Sequence, residues 1–120
     1  MDFMDLMRMK NFVVLGSTSN KEKKAYEIKE ALLNHGKNVF CVREEYPNIS
    51  SIDKEIDVID ICMNPKFTLE YLTDDIKAKG AIIQPGAESD EVHKRLKELN
   101  IPYFEACALV GCIRLDSENN

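Results

Sequence analysis

Phe12-Val13-Val14-Leu15-Gly16-Ser17-Thr18-Ser19-Asn20-Lys21 is the stretch on which the reading turns. Four apolar residues end at a glycine, and three hydroxyl side chains follow before the first lysine. A short, unbroken apolar run reads as a strand covered on both faces. The glycine permits a close turn. Hydroxyls and backbone N–H groups that arrive together at a helix start offer a cradle for an anion. The spacing is neither G-x-G-x-x-G nor G-x-x-x-x-G-K-[ST]. Gly16, Ser17, Thr18, Ser19, Asn20 and Lys21 are therefore candidate phosphate contacts, with Ser19 or Asn20 alternatively serving only to cap the helix.

Outward from this stretch, two textures alternate. β-rich runs recur at residues 38–42, 57–62, 81–83 and 102–104, after the first at 12–15. Helix-period segments lie between them. Ala25, Ile28 and Leu32 mark residues 21–35, with Gly36 as a stop. Leu69, Leu72 and Ile76 mark residues 65–79, between Pro65 and Gly80. Val92, Leu96 and Leu99 mark residues 88–99, with Ser89 as a cap. The connection at residues 47–55 holds only a turn. Strands alternating with helices predict a Rossmann-like, doubly wound α/β fold: a parallel five-stranded sheet with helices on both faces. The predicted strand order is 3-2-1-4-5, with its switch point between strands 1 and 4, where ligands bind outside the carboxyl ends. At 120 residues the chain makes one domain, residues 11–115, with flexible segments at 1–10 and 116–120 and a terminal helical turn expected after Cys107.

Composition excludes several classes. A net charge of −5 argues against a protein held on nucleic acid by charge. No run approaches the length of a membrane helix, and no basic segment precedes an apolar one as in a secretory signal. Four cysteines in a chain with a real core predict reduced thiols and a cytoplasmic setting.

The other strand ends carry the remaining candidates. Val42-Arg43-Glu44-Glu45 follows the second strand, where an acid can hold ribose hydroxyls and an arginine a ribose phosphate. Arg43 stands closest to the strand and points to a phosphorylated ribose; the alternative is a solvated charge cluster. Met63-Asn64-Pro65 follows the third. Asn64 suits a cap ahead of Pro65, and Met63 suits the wall of an apolar ligand arm. Pro85-Gly86, after the fourth, forms a tight turn that lets backbone approach a ligand or simply joins strand to helix. Cys107 lies just past the fifth strand at the same edge. Cys107 and Cys112 lack a second ligand pair for zinc, so no metal is expected. Neither His35 nor His93 has an acid partner at a recognisable spacing, and no nucleophile–base pair is legible.

These strand ends together resemble the small stand-alone coenzyme A-binding domain proteins, which are similar to the N-terminal nucleotide domain of the succinyl-CoA synthetase alpha subunit. The resemblance covers residues 11–113. Phe12 through Asn20 resembles that family's opening strand and G-A-S-x-N loop, and Tyr26 an aromatic on the helix that follows. Ile56-Asp57-Val58-Ile59-Asp60-Ile61 resembles its third strand, with Pro65 after it. Ile83-Gln84-Pro85-Gly86-Ala87-Glu88 is similar to its Q-P-G-A turn and is the most specific segment. Cys107 matches the cysteine of its N-R-C motif. There are departures: V-N-P reads Val42-Arg43-Glu44, R-x-P reads Met63-Asn64-Pro65, N-R-C reads Glu105-Ala106-Cys107, and E-H reads Gly111-Cys112. Two cations are lost, which weakens contact with a ligand of three phosphates; Arg43 and Lys21 are the candidate replacements.

The expectation is a non-enzymatic binder of coenzyme A or an acyl-CoA, a small nucleotide ligand, with no nucleic-acid or membrane partner. The sequence leaves oligomeric state open. The alternatives are a flavodoxin-like or NAD(P)-binding redox module, because the hydroxyl-rich loop also resembles an FMN phosphate loop, and an interaction domain without a ligand. The absence of Trp and the short chain argue against a flavin. Leu15-Gly16 stands where a signal receiver domain needs acids.

Overall fold

A computed structural model describes residues 1–118. Its centre is an all-parallel sheet of five strands: β1 (Asn11–Leu15), β2 (Asn38–Val42), β3 (Val58–Ile61), β4 (Gly80–Ile83) and β5 (Tyr103–Glu105). The spatial order is β2-β1-β3-β4-β5, which corrects the expected 3-2-1-4-5. β1 pairs with β2 through Val14↔Cys41 and with β3 through Val14↔Asp60. Burial explains the order. β3 and β4 are buried along their whole length and need a neighbour on each side, whereas β2 opens on an exposed Asn38 and two half-buried residues, as an edge strand does. The order now reverses between β1 and β3, so the switch point lies there.

Successive strand residues face opposite layers. Val13, Leu15, Ile59, Ile61, Ala81 and Ile83 pack with Leu72, Ile76, Val92 and Leu96. Phe12, Val14, Val58 and Ile82 pack on the other side with Ala25, Ile28 and Leu32. Those residues belong to α2 (Lys24–Asn34), where the three recur at helical spacing. The first layer is covered by α4 (Asp90–Glu98), capped by the Ser89 side chain on the Val92 N–H at 3.1 Å.

Three elements differ from the sequence expectation. The segment 65–79 is not one helix. It is α3 (Pro65–Thr68), a 3₁₀ turn (Leu69–Tyr71) and irregular chain. Local bonds compete with the helix: Asp75 accepts from Ser50 Oγ and Thr73 Oγ1, and Arg95 Nε donates to the Leu72 carbonyl at 2.7 Å. Leu72 and Ile76 still reach the core, as their spacing implied. Residues 1–10 are not a loose extension. They hold α1 (Phe3–Met7), closed by a reciprocal Asp2–Asp5 capping box, with Leu6 and Met7 fully buried. The turn expected after Cys107 is an eleven-residue helix, α5 (Ala108–Glu118). Gly80 and Gly111 explain how α1 fits: a Cβ on either would lie within 2.6–2.7 Å of Leu6 or Met7 side-chain atoms. Of the tail expected at 116–120, residues 116–118 are helical and 119–120 lie outside the described residues. No helix among the described residues is long and apolar enough to cross a membrane.

Candidate functional site

β1 ends at Gly16, and the need for glycine is steric. A Cβ there would stand 2.5 Å from the Cys62 carbonyl oxygen and 2.8 Å from the Ala25 Cβ. Gly16 therefore lets the loop turn between β3 and α2, which puts its first contribution in packing. The loop then divides. Ser17 faces a cleft at the carboxyl edge, while Thr18, nearly fully buried, and Ser19 turn toward β2 and a separate depression with Lys29, Cys41 and Glu45. Asn20 Oδ1 accepts from the Glu22 N–H at 3.0 Å, a local turn that delays the helix start. The N-cap of α2 is consequently Lys23, with no side-chain cap, and Lys21 stands exposed outside the clefts.

Two clefts meet above the β1–β3 switch point. One, of about 370 Å³, is lined by Ser17, Lys23, Lys24, Arg43, Asn64 and Phe67. The other, of about 400 Å³, is lined by Gln84, Pro85, Gly86, Ala87 and Cys107. Lys24, Cys62 and Met63 line both, so the two form one continuous groove. Each half is of the size that small-molecule sites occupy. Of the sequence candidates, Ser17, Arg43, Met63, Asn64, Pro85, Gly86 and Cys107 come together here. Gly16 lies beneath, and Pro65 opens α3 without lining either half. Asn64 accepts from the Lys66 N–H at 3.0 Å, as a cap.

Sequence reasoning missed Lys23, Lys24, Phe67 and Gln84. The lysines are visible as a basic cluster beside Lys21, but the delayed helix start decides which of them face the groove. Phe67, an exposed aromatic on α3, was hidden inside an expected long helix.

The first cleft is cationic in a chain of net charge −5. Among the described residues Lys23 and Arg43 enter no ion pair, and Lys24 makes only a 3.9 Å contact with Glu27. Lysines at an uncapped helix N-terminus oppose the helix dipole, an arrangement that an anion between them relieves. Arg43 adds a strained backbone. Its φ of +92° lies in the region that favours glycine, and it is held there by its N–H donating to the Tyr46 carbonyl at 2.7 Å.

The second cleft is more apolar and closes on the turn after β4. The Ala87 N–H donates to the Gln84 carbonyl at 2.9 Å across Pro85-Gly86, and Gly86, at φ +92°, takes the position of a type II turn that requires glycine. Burial and the nearby Asp60 push the Cys62 thiol up to about 12, and burial pushes Cys112 to about 11 and raises Cys41. Asp60 itself, in the middle of β3, is wholly buried with neither oxygen hydrogen-bonded, and burial lifts it to about 8. His35 bonds Asp116 at 2.8 Å, and His93 stacks on Tyr103 and meets Glu105 at 2.6 Å; neither lines the groove.

A family model described as a CoA binding domain matches residues 10–112. No curated protein matches the chain. Among solved structures, a cell-free protein from Thermus thermophilus is similar at 22% identity and TM-score 0.82, over 92% of this chain and 92% of that one. A hypothetical protein from Pyrococcus horikoshii OT3 is similar at 28% identity and TM-score 0.79, over 92% of this chain and 86% of that one. A conserved hypothetical protein from Pyrococcus furiosus is similar at 25% identity and TM-score 0.71, over 85% and 98% of the two chains.

Proposed function

The chain belongs to the CoA binding domain family, and from that premise we propose that the groove at the carboxyl edge binds coenzyme A or an acyl-CoA without transforming it. The observation that carries this reading is the cluster of Lys23, Lys24 and Arg43 around one cleft, two of them without an ion pair among the described residues, at an uncapped helix start. These cations stand in for the two that the sequence lacks relative to the resembled motifs. Ser17 and the backbone of the loop take the pyrophosphate. Arg43 takes the ribose phosphate, and Phe67 offers a face on which the adenine stacks. The arm then runs past the shared Cys62 and Met63 toward Pro85-Gly86 and Cys107.

Binding without chemistry is supported by how the reactive groups are held. Cys62 stays protonated at neutral pH, and neither histidine lines the groove. Four free thiols suit the cytoplasm as the place of action.

Calorimetric titration with coenzyme A and with dephospho-coenzyme A tests the reading. A charge-assisted contact at Arg43 is worth roughly 1.5–3 kcal/mol, so coenzyme A should bind about tenfold or more tightly than its dephospho form. Equal affinities would return Arg43 to the solvent, and no binding of either would overturn the reading.

A further inference from the structure

His35 closes α2 as its C-cap residue, and both of its ring nitrogens are engaged. Nδ1 lies 2.7 Å from the Ala31 carbonyl oxygen, one turn back on the same helix. Nε2 lies 2.8 Å from Asp116 Oδ1, on α5. A carbonyl and a carboxylate oxygen only accept hydrogen bonds. A neutral imidazole carries one N–H and serves one of them; an imidazolium carries two and serves both. The pair of contacts therefore belongs to the protonated ring.

The surroundings favour that form. The Ala31 carbonyl is the largest cause raising His35 above its ordinary value, and Asp116 adds to it against the cost of burial. The carboxyl end of α2 is the end that favours a cation. Lys37, on the turn that follows, opposes the charge, with its Nζ donating to the Met9 carbonyl at 2.7 Å. Lys10 Nζ donates to the Gly36 carbonyl. On α1, Arg8 is paired with Glu118 of α5 at 2.6 Å.

Place gives the contact a consequence. α5 starts at the groove, where Cys107 lines a wall and the Ala108 N–H donates to Gln84 Oε1 at 2.9 Å. It runs to the end of the sheet where the strands begin. There Arg8 ties it to α1 through Glu118, and His35 ties it to α2 through Asp116. Of these two ties, only the second contains a group whose charge changes near neutral pH.

We infer that His35 is a pH-operated tie between α2 and α5: with two ring N–H groups it holds the Ala31 carbonyl and Asp116 together, and on losing one proton it releases the last turns of α5. The tie is complete below about pH 6.5, the value of an unfolded histidine, and is lost as pH rises through the higher value of the folded chain.

Amide hydrogen exchange of residues 113–118, followed by NMR on the whole chain and divided by the intrinsic rate at each pH, tests this. Wild-type protection at pH 6 should exceed that at pH 8 by about threefold or more, the effect of a solvent-screened contact at a helix end. The His35 ring should titrate above an unfolded histidine, its signal told from that of His93 by its loss in His35→Gln. Asp116→Asn puts an amide N–H opposite Nε2. A neutral ring then donates from Nδ1 and accepts at Nε2, so the pH dependence should vanish and the ring's midpoint should fall. Asp60 is the same in both chains and does not distinguish them. Equal protection at the two pH values overturns the inference, as does an unchanged pH dependence in Asp116→Asn. No ligand is added, so the outcome is independent of the coenzyme reading.

Discussion

The two ends of the sheet treat their polar groups in opposite ways. At the amino end, where the strands begin, the groups are committed within the chain. Asp57 accepts from the Lys10 and Asn11 N–H groups at 3.1 and 2.8 Å and pairs with Lys79 at 3.0 Å. Lys37 reaches the Met9 carbonyl, Asn38 binds Asn11, and Arg8 holds Glu118. At the carboxyl end, Lys23 makes no side-chain cap, Arg43 is strained, and among the described residues Arg43 enters no ion pair and Gln84 Nε2 has no hydrogen-bond partner. Both ends are made of the same strands, so the contrast is not one of fold. One end is finished by the chain itself, and the other is arranged for something the chain does not contain.

The contrast can be broken or sharpened by mutation. The largest effect belongs to the amino end. Leu6→Ala removes a fully buried side chain and should cost about 2–5 kcal/mol by denaturant unfolding, with affinity for coenzyme A unchanged in the folded fraction. A folded variant with weakened binding would couple the two ends and spoil the division.

Asp60 lies between them, and its effect depends on pH. Its carboxyl is raised from about 3.9 in the unfolded chain to about 8 in the fold. Across that window the folded chain holds a proton that the unfolded chain has released, so stability is full at acid pH, falls as pH rises, and levels off above about 8. Asp60→Asn should flatten the dependence of Tm on pH and exceed the wild type in alkaline buffer. A parallel slope in the variant would assign the titration elsewhere.

Smaller effects of opposite sign are expected at the carboxyl end. Arg43→Gly relieves a backbone strain of order 1 kcal/mol and should raise the unfolding midpoint, while weakening coenzyme A about tenfold. Lys23→Ser supplies the missing cap, worth about 1 kcal/mol, and should likewise trade affinity for stability. Stabilisation without loss of binding would separate these residues from the ligand. The smallest effect is one of order: iodoacetamide at neutral pH should label Cys107 before Cys41, Cys62 and Cys112, whose thiols burial holds protonated, as peptide mapping would show.

Legibility followed the same division between local and distant causes. Buried parallel strands are near-continuous apolar runs, so Val13-Val14-Leu15 and Val58-Ile59 declared themselves, and α2 and α4 carried a stripe of helical period. The place of β3 beside β1 did not show, because it depends on which strands are buried on both edges. Residues 65–79 kept the period of a helix without its backbone, since Thr73, Asp75 and Arg95 form bonds that no period reveals. A five-residue helix such as α1 is too short to have a period at all. At the site, Ser17, Met63, Pro85, Gly86 and Cys107 were legible because a parallel sheet delivers its strand ends to one edge. Gln84 was visible as part of a turn motif, but its unpaired donor emerges only through a contact with Ala108, 24 residues away.

The contact between Arg8 and Glu118 joins residues 110 positions apart. It ties α1 to α5, and Met7 fills the notch left by Gly111 on that helix. A contact across so long a stretch of chain costs loop-closure entropy before packing repays it, so the docking of α1 on α5 should come late in refolding.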